Sequence, residues 1–109
     1  MSSSVKIVTY VPTEAADAVR EAMGRAGAGK IGNYHFCSFS SRGEGRFLPV
    51  DGANPTSGEV GRLSVEPEER IEVVCGRSDA KAVIAAIREA HPYEEVAFDI
   101  YELLDEDTL

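Results

Sequence analysis

Basic residues are scarce in this chain. Lysine and arginine number 11 against 19 aspartates and glutamates, which leaves a formal net charge of -8. A nucleic-acid backbone is repelled by such a chain, and no local Lys/Arg cluster offsets the repulsion. Long apolar runs are missing too, since none approaches the ~20 residues that a spanning helix needs. The opening Met1-Ser2-Ser3-Ser4-Val5-Lys6 has no basic region followed by an apolar stretch, so it does not read as a secretory signal. These absences lead to the expectation of a cytoplasmic protein with neither nucleic acid nor membrane among its partners. Only two cysteines occur, Cys37 and Cys75, and neither belongs to a CxxC pair. They read as free thiols buried in apolar strands. GxSxG and HExxH patterns are absent, and no nucleophile stands beside a base.

What is present describes one small domain. The 109 residues are 43% hydrophobic and 28% charged, ordinary values for a globular chain able to hold a core without staples. Acidic residues concentrate in 66–72 and 102–107. Both read as solvated surface, and we expect residues 1–104 to form the domain and residues 105–109 an acidic, frayed tail.

Ser4–Val11 alternates as a strand. Val5, Ile7, Thr9 and Val11 point one way, with Val8 and Tyr10 on the other. Pro12 stops it, and Thr13 suits a helix N-cap. Ala15, Ala18, Val19, Ala22, Met23 and Ala26 then recur at helical spacing, and Gly27 supplies a left-handed stop. Asn33–Ser41 reads as a second strand. Arg42–Arg62 is rich in turn residues interrupted by Phe47, Leu48 and Val50, and reads as an elaborated hairpin tip with a short strand of its own. Glu69–Cys75 is a third strand. Ser78 caps a second helix that His91-Pro92 ends, and Val96–Leu103 is the last strand. The order β-α-β-β-α-β predicts an α+β, ferredoxin-like sandwich, with two helices on one face of an antiparallel four-stranded sheet. Its expected core is Ile7, Val19, Ile71, Val73, Ile84, Ile87, Phe98 and Ile100.

The other sheet face would carry Val8, Tyr10, Tyr34, Phe36, Val74, Ala97 and Tyr101. That is too apolar for open water and predicts an interface between subunits. The alternative is that the middle hairpin folds back over it.

Two segments carry candidate chemistry. Gly27–Cys37 (GAGKIGNYHFC) loosely resembles a phosphate loop, but its glycines follow a helix and precede a strand, so turn formation accounts for them. His35 and Cys37, two apart on a strand, share a face and offer two soft metal ligands where three or four are needed. Ala90–Asp99 (AHPYEEVAFD) places His91, Tyr93, Glu94 and Glu95 together. They could form an acid–base set; alternatively His91 caps helix carbonyls, Tyr93 packs and the glutamates face solvent or a neighbouring subunit. No metal set and no cofactor emerges.

The motifs GAG-x-IGNY-x-x-C, G-x-G-x-F-x-P-x-x-G-x-x-P-x-x-G and AHPYEE-x-A-x-D, in this order, resemble the YqfO-type domain. That is the CutA-like, PII-like domain inserted in dinuclear-metal-centre hexameric proteins, the GTP cyclohydrolase I type 2 homologues or NGG-interacting-factor-like proteins. The resemblance runs from Tyr10-Val11-Pro12 to Asp99 and suggests a stand-alone form of that domain. In full-length members His, Asp and Glu residues of flanking domains hold the metals, so the metal centre and its chemistry are not carried over. What the resemblance implies is a sheet-in homotrimer. Asn33, Tyr34, Cys37, His91, Tyr93 and Glu94 are candidate ligand or subunit-cleft residues, and Val8, Tyr10, Phe36 and Tyr101 candidate interface residues. The expected function is a non-enzymatic trimeric binding or regulatory module for a small molecule or protein partner. The alternatives are a CutA-like divalent metal-binding protein using Cys37 with histidine, and a hydrolase-related accessory domain.

Overall fold

The structure, a computed structural model, describes residues 3–109; the first two residues of the expected domain lie outside this range. Four strands and two α-helices follow the expected order: β1 (Ser4–Pro12), α1 (Ala16–Arg25), β2 (Phe39–Phe47), β3 (Ser64–Gly76), α2 (Ala80–Ala90) and β4 (Phe98–Leu103). The sheet order is β2-β3-β1-β4, and every neighbouring pair is antiparallel. Ile7 lies opposite both Val73 and Ile100. That register places Val5, Ile7, Val11, Ile71, Val73 and Cys75 on the face where α1 and α2 pack. From the helices Val19, Met23, Val83 and Ile87 complete a fully buried layer.

Several elements depart from expectation. The second strand is Phe39–Phe47, sharing only residues 39–41 with the expected Asn33–Ser41. β3 begins at Ser64 rather than Glu69, and the hairpin tip forms no strand of its own. Aromatic content misled here: Tyr34 and Phe36 look like strand residues, whereas Gly43 and Gly45 look like turn residues yet lie within β2. Phe36 takes φ 59° and lays its ring over Gly24, where a Cβ would collide with it. Phe36 therefore covers α1 and is not on the second sheet face. Tyr34, 74% exposed, belongs to the same connection, where its amide bonds back to Ile31. Neither Thr13 nor Ser78 caps a helix; each helix is entered through a 3-10 turn without a side-chain cap. Gly27, at φ 109°, ends α1 as expected, with Ala28 N–H donating to Met23 O at 3.0 Å.

The expected core needs trimming at its edge. Phe98 and Ile100 point to the helical face, but β4 is an edge strand that α2 only partly covers. Ile100 is 47% exposed, and Phe98 is half-buried beneath the Arg88 guanidinium, 5.1 Å from its ring centre. Ile84 is likewise only partly buried. Cys75 is in the core as expected, and burial, then Asp79, pushes its thiol upward; Cys37 is only half-buried. At the end of the chain, Glu106–Thr108 forms a 3-10 turn capped by the Asp105 carboxylate.

The second sheet face is less apolar than expected. Register puts Lys6, Arg70, Glu72 and Asp99 around Val8. Lys6 Nζ reaches Glu72 at 3.2 Å and Arg70 Nε reaches it at 3.3 Å, and Val8 is fully buried among these neighbours. Apolar exposure on this face moves to the flanks, to Phe39 (68% exposed) and Tyr101 (46% exposed).

Candidate functional site

At the Tyr10 end of this face, the hairpin tip bends back onto its own chain. Thr56 Oγ1 donates to Pro92 O at 2.7 Å, and Asn54 N–H donates to Glu94 Oε2 at 2.9 Å. These bonds join the 48–63 loop to the segment between α2 and β4 of the same chain. A cleft of about 530 Å³ lies beneath it. Phe47, Leu48, Pro49 and Val50 form one wall, Tyr93–Glu95 the other, and Tyr10, Gly45, Glu68 and Ala97 the floor.

His91 fixes the second wall. It is 6% exposed, with Nε2 2.7 Å from Tyr10 O. A carbonyl only accepts, so the ring hydrogen is on Nε2; Nδ1 accepts the Tyr93 N–H at 3.1 Å. Both nitrogens are thus engaged, and neither acid–base work nor capping of helix carbonyls is the role of this side chain. It holds the chain in the turn that presents Tyr93. The Tyr93 ring stands edge-on to Phe47 (5.7 Å between centres) and tilted to His91 (5.0 Å). Its hydroxyl donates to Glu68 Oε2 at 3.2 Å. Burial, and then the nearby Glu68 charge, push the phenol well above its ordinary value of 10.0. Tyr93 is a hydrogen-bond donor here, not a base.

This raised phenol has a consequence at high pH. The folded chain holds the proton more tightly than the unfolded one, so the stabilisation is complete below pH 10.0 and is lost as pH climbs through the folded value. Denaturant midpoints between about pH 8 and about pH 11 are expected to fall faster for wild type than for Tyr93→Phe. Parallel slopes would show that the phenol is not held this way.

Of the candidate residues, Tyr93 and Glu94 line this cleft, and His91 supports its wall from behind. Asn33, Tyr34 and Cys37 do neither. Their connection is pinned to β3 by Gly29 N–H donating to Val74 O at 2.7 Å. Val74 is six residues along β3 from Glu68, about 20 Å away in an extended strand. His35 is exposed and off any strand. Among the described residues, no three His, Cys, Asp or Glu side chains are placed to hold one metal ion. Glu68 and the Phe47–Val50 wall were not foreseen. One signal existed: Gly45 lies inside a strand, and a Cβ there would collide with the Glu68 carboxylate.

The architecture defines a ferredoxin-like, CutA- and PII-like domain. Its backbone superposes on CutA1 from Shewanella sp. SIB1 with a TM-score of 0.66 at 15% identity, over 94% of this chain and 82% of that one. GlnK of B. subtilis superposes with a TM-score of 0.62 at 14% identity, over 94% and 86% of the two chains. At those identities the likeness concerns the fold alone. No protein-family model matches the chain. Similarity in sequence points further. Over 96 residues it is 55% identical to a "GTP cyclohydrolase 1 type 2 homolog" of Bacillus subtilis (strain 168), covering 88% of this chain and 26% of that protein. The crystal structure of a Bacillus cereus protein related to NIF3 superposes with a TM-score of 0.83 at 45% identity, over 95% of this chain and 26% of that one. The chain is thus similar to one segment of the GTP cyclohydrolase 1 type 2 homologues and fits a YqfO-type domain. It spans about a quarter of the length of these relatives.

Proposed function

We propose that this domain is a non-catalytic binding or regulatory module, that it works as a homotrimer, and that it takes a small ligand in the cleft beneath the hairpin tip. The cleft carries this reading. Its volume suits a small molecule, its walls are mostly apolar, and a few polar groups converge on it. It lacks the pairing that covalent or acid–base catalysis needs. Ser57 spends its hydroxyl on Glu66 at 2.8 Å, and both His91 nitrogens are engaged elsewhere. A hydrolase-related role gains nothing from such a site. Nor does any observation favour a metal-binding protein built on Cys37 and histidine.

The test is amide chemical-shift mapping with a small fragment library. Hits are expected to move the amides of Gly45, Val50 and Glu94 together. If hits cluster elsewhere, or no fragment moves these amides, the cleft is not the binding site.

A further inference from the structure

We infer that the cleft selects an organic cation on an apolar stem, an alkylammonium or alkylguanidinium group whose charge seats against Glu68. This rests on the cleft being the ligand site. Glu68 is only 9% exposed, yet its one hydrogen-bond donor is the neutral Tyr93 hydroxyl at 3.2 Å, on Oε2. Oε1 has no hydrogen-bond partner and no ion pair reaches the side chain among the described residues. The next residue shows what the fold does elsewhere. Glu69, 8% exposed on the opposite face, receives Arg20 Nη1 at 2.8 Å. One buried carboxylate is given a cation and its neighbour, opening on the cleft, is not. Oε1 is not sealed from solvent and so is open to the cleft, where a mostly buried carboxylate without counter-charge is costly and an incoming cation would relieve that cost.

The rest of the lining agrees. Glu44, Glu94 and Glu95 also border the cleft, against one cation among the described residues, Arg46, which already pairs with Glu44 at 3.4 Å. A hard divalent ion needs six or more oxygen ligands, which these dispersed carboxylates and an apolar wall do not supply. The Phe47–Val50 wall instead offers surface for a hydrocarbon stem; Leu48 is 54% and Val50 63% exposed. The Tyr93 and Phe47 rings add aromatic surface that attracts a cation.

Butylammonium, butanol and butyrate share a stem and differ in charge, so titrating each with amide-shift detection is the test, with magnesium chloride as a separate arm. Butylammonium is expected to saturate the Gly45, Val50 and Glu94 shifts, binding at least about tenfold more tightly than butanol, with butyrate silent. Glu68→Gln is expected to remove that advantage and leave butanol unchanged. Tyr93→Phe frees both carboxylate oxygens and is expected to widen the advantage, which keeps the proposal testable if Glu68→Gln fails to fold. Equal binding of butanol or butyrate, or an unchanged preference in either variant, overturns the ligand class while leaving the cleft a binding site. Magnesium moving these amides while butylammonium does not overturns it in favour of an inorganic ion. Silence from all four probes overturns both the class and the site.

Discussion

Gly29→Ala is expected to destabilise the domain by about 3 kcal/mol or more, enough to abolish folding in a marginally stable chain. Two costs add. Gly29 sits at φ 80°, a region that L side chains rarely adopt. A Cβ there would also run into the backbone of Cys37, which has no room to turn aside as a flexible side chain could. The residue is a junction: its N–H donates to Val74 O at 2.7 Å, and its carbonyl accepts the Cys37 N–H at 2.9 Å. Displacing it unpins the whole 29–38 connection from β3. Gly32→Ala is the matched control. Its φ is 55°, but nothing lies within 4 Å of the added methyl, so a loss of about 1 kcal/mol is expected. Urea midpoints of the two variants measure the difference, and equal losses would mean the tight approach at Gly29 is not real.

The second large effect is on assembly. Wild-type protein is expected to scatter light at three times the chain mass of 11.7 kDa, and Phe39→Glu to scatter at the mass of one chain. Phe39 is the informative position because it is 68% exposed, so the fold of the single chain does not depend on it. It lies directly across from Glu72, so the new carboxylate would face a like charge as well as a desolvated contact. Tyr10, attractive from the sequence, is a poorer probe: its carbonyl anchors His91 and its side chain lines the cleft, so a change there confounds folding, binding and assembly. A stable contact buries on the order of 800 Å² per partner, more than the Phe39 and Tyr101 flanks supply alone, so the Lys6–Glu72–Arg70 network must be covered too. A wild-type monomer at high concentration, or a Phe39→Glu trimer with unchanged circular dichroism, would refute the proposed assembly.

Much of the fold was legible without coordinates. Period-two alternation in Val5–Val11 and Ile71–Cys75, and helical spacing in 15–26 and 80–90, set the central strands and both helices. Those segments bury one side against a partner and so carry strong patterns. The chain also announced its likeness to YqfO-type domains through three short motifs, because turns and close approaches demand particular residues at particular spacings. Legibility failed at the edges. β2 and β4 are half-covered edge strands, so Phe39–Phe47 shows no clean alternation, and exposed Ile100 looks no different from a core residue. Phe36 and Gly45 exchanged apparent roles because each answers to a distant residue, Gly24 and Glu68 respectively.

The sequence by itself determined the element order, the central core, the free cysteines and the likeness to YqfO-type domains, since these depend on local periodicity, turn chemistry and composition. Only the tertiary structure decided that the hairpin tip returns to its own 92–94 segment, and that His91 is a fully engaged strut. It alone separated Asn33, Tyr34 and Cys37 from His91, Tyr93 and Glu94 along the sheet. It alone revealed Glu68 as a buried carboxylate without a cation. Each of these depends on at least one pairing between residues 25 or more positions apart, and no local pattern encodes which distant partner a side chain will meet.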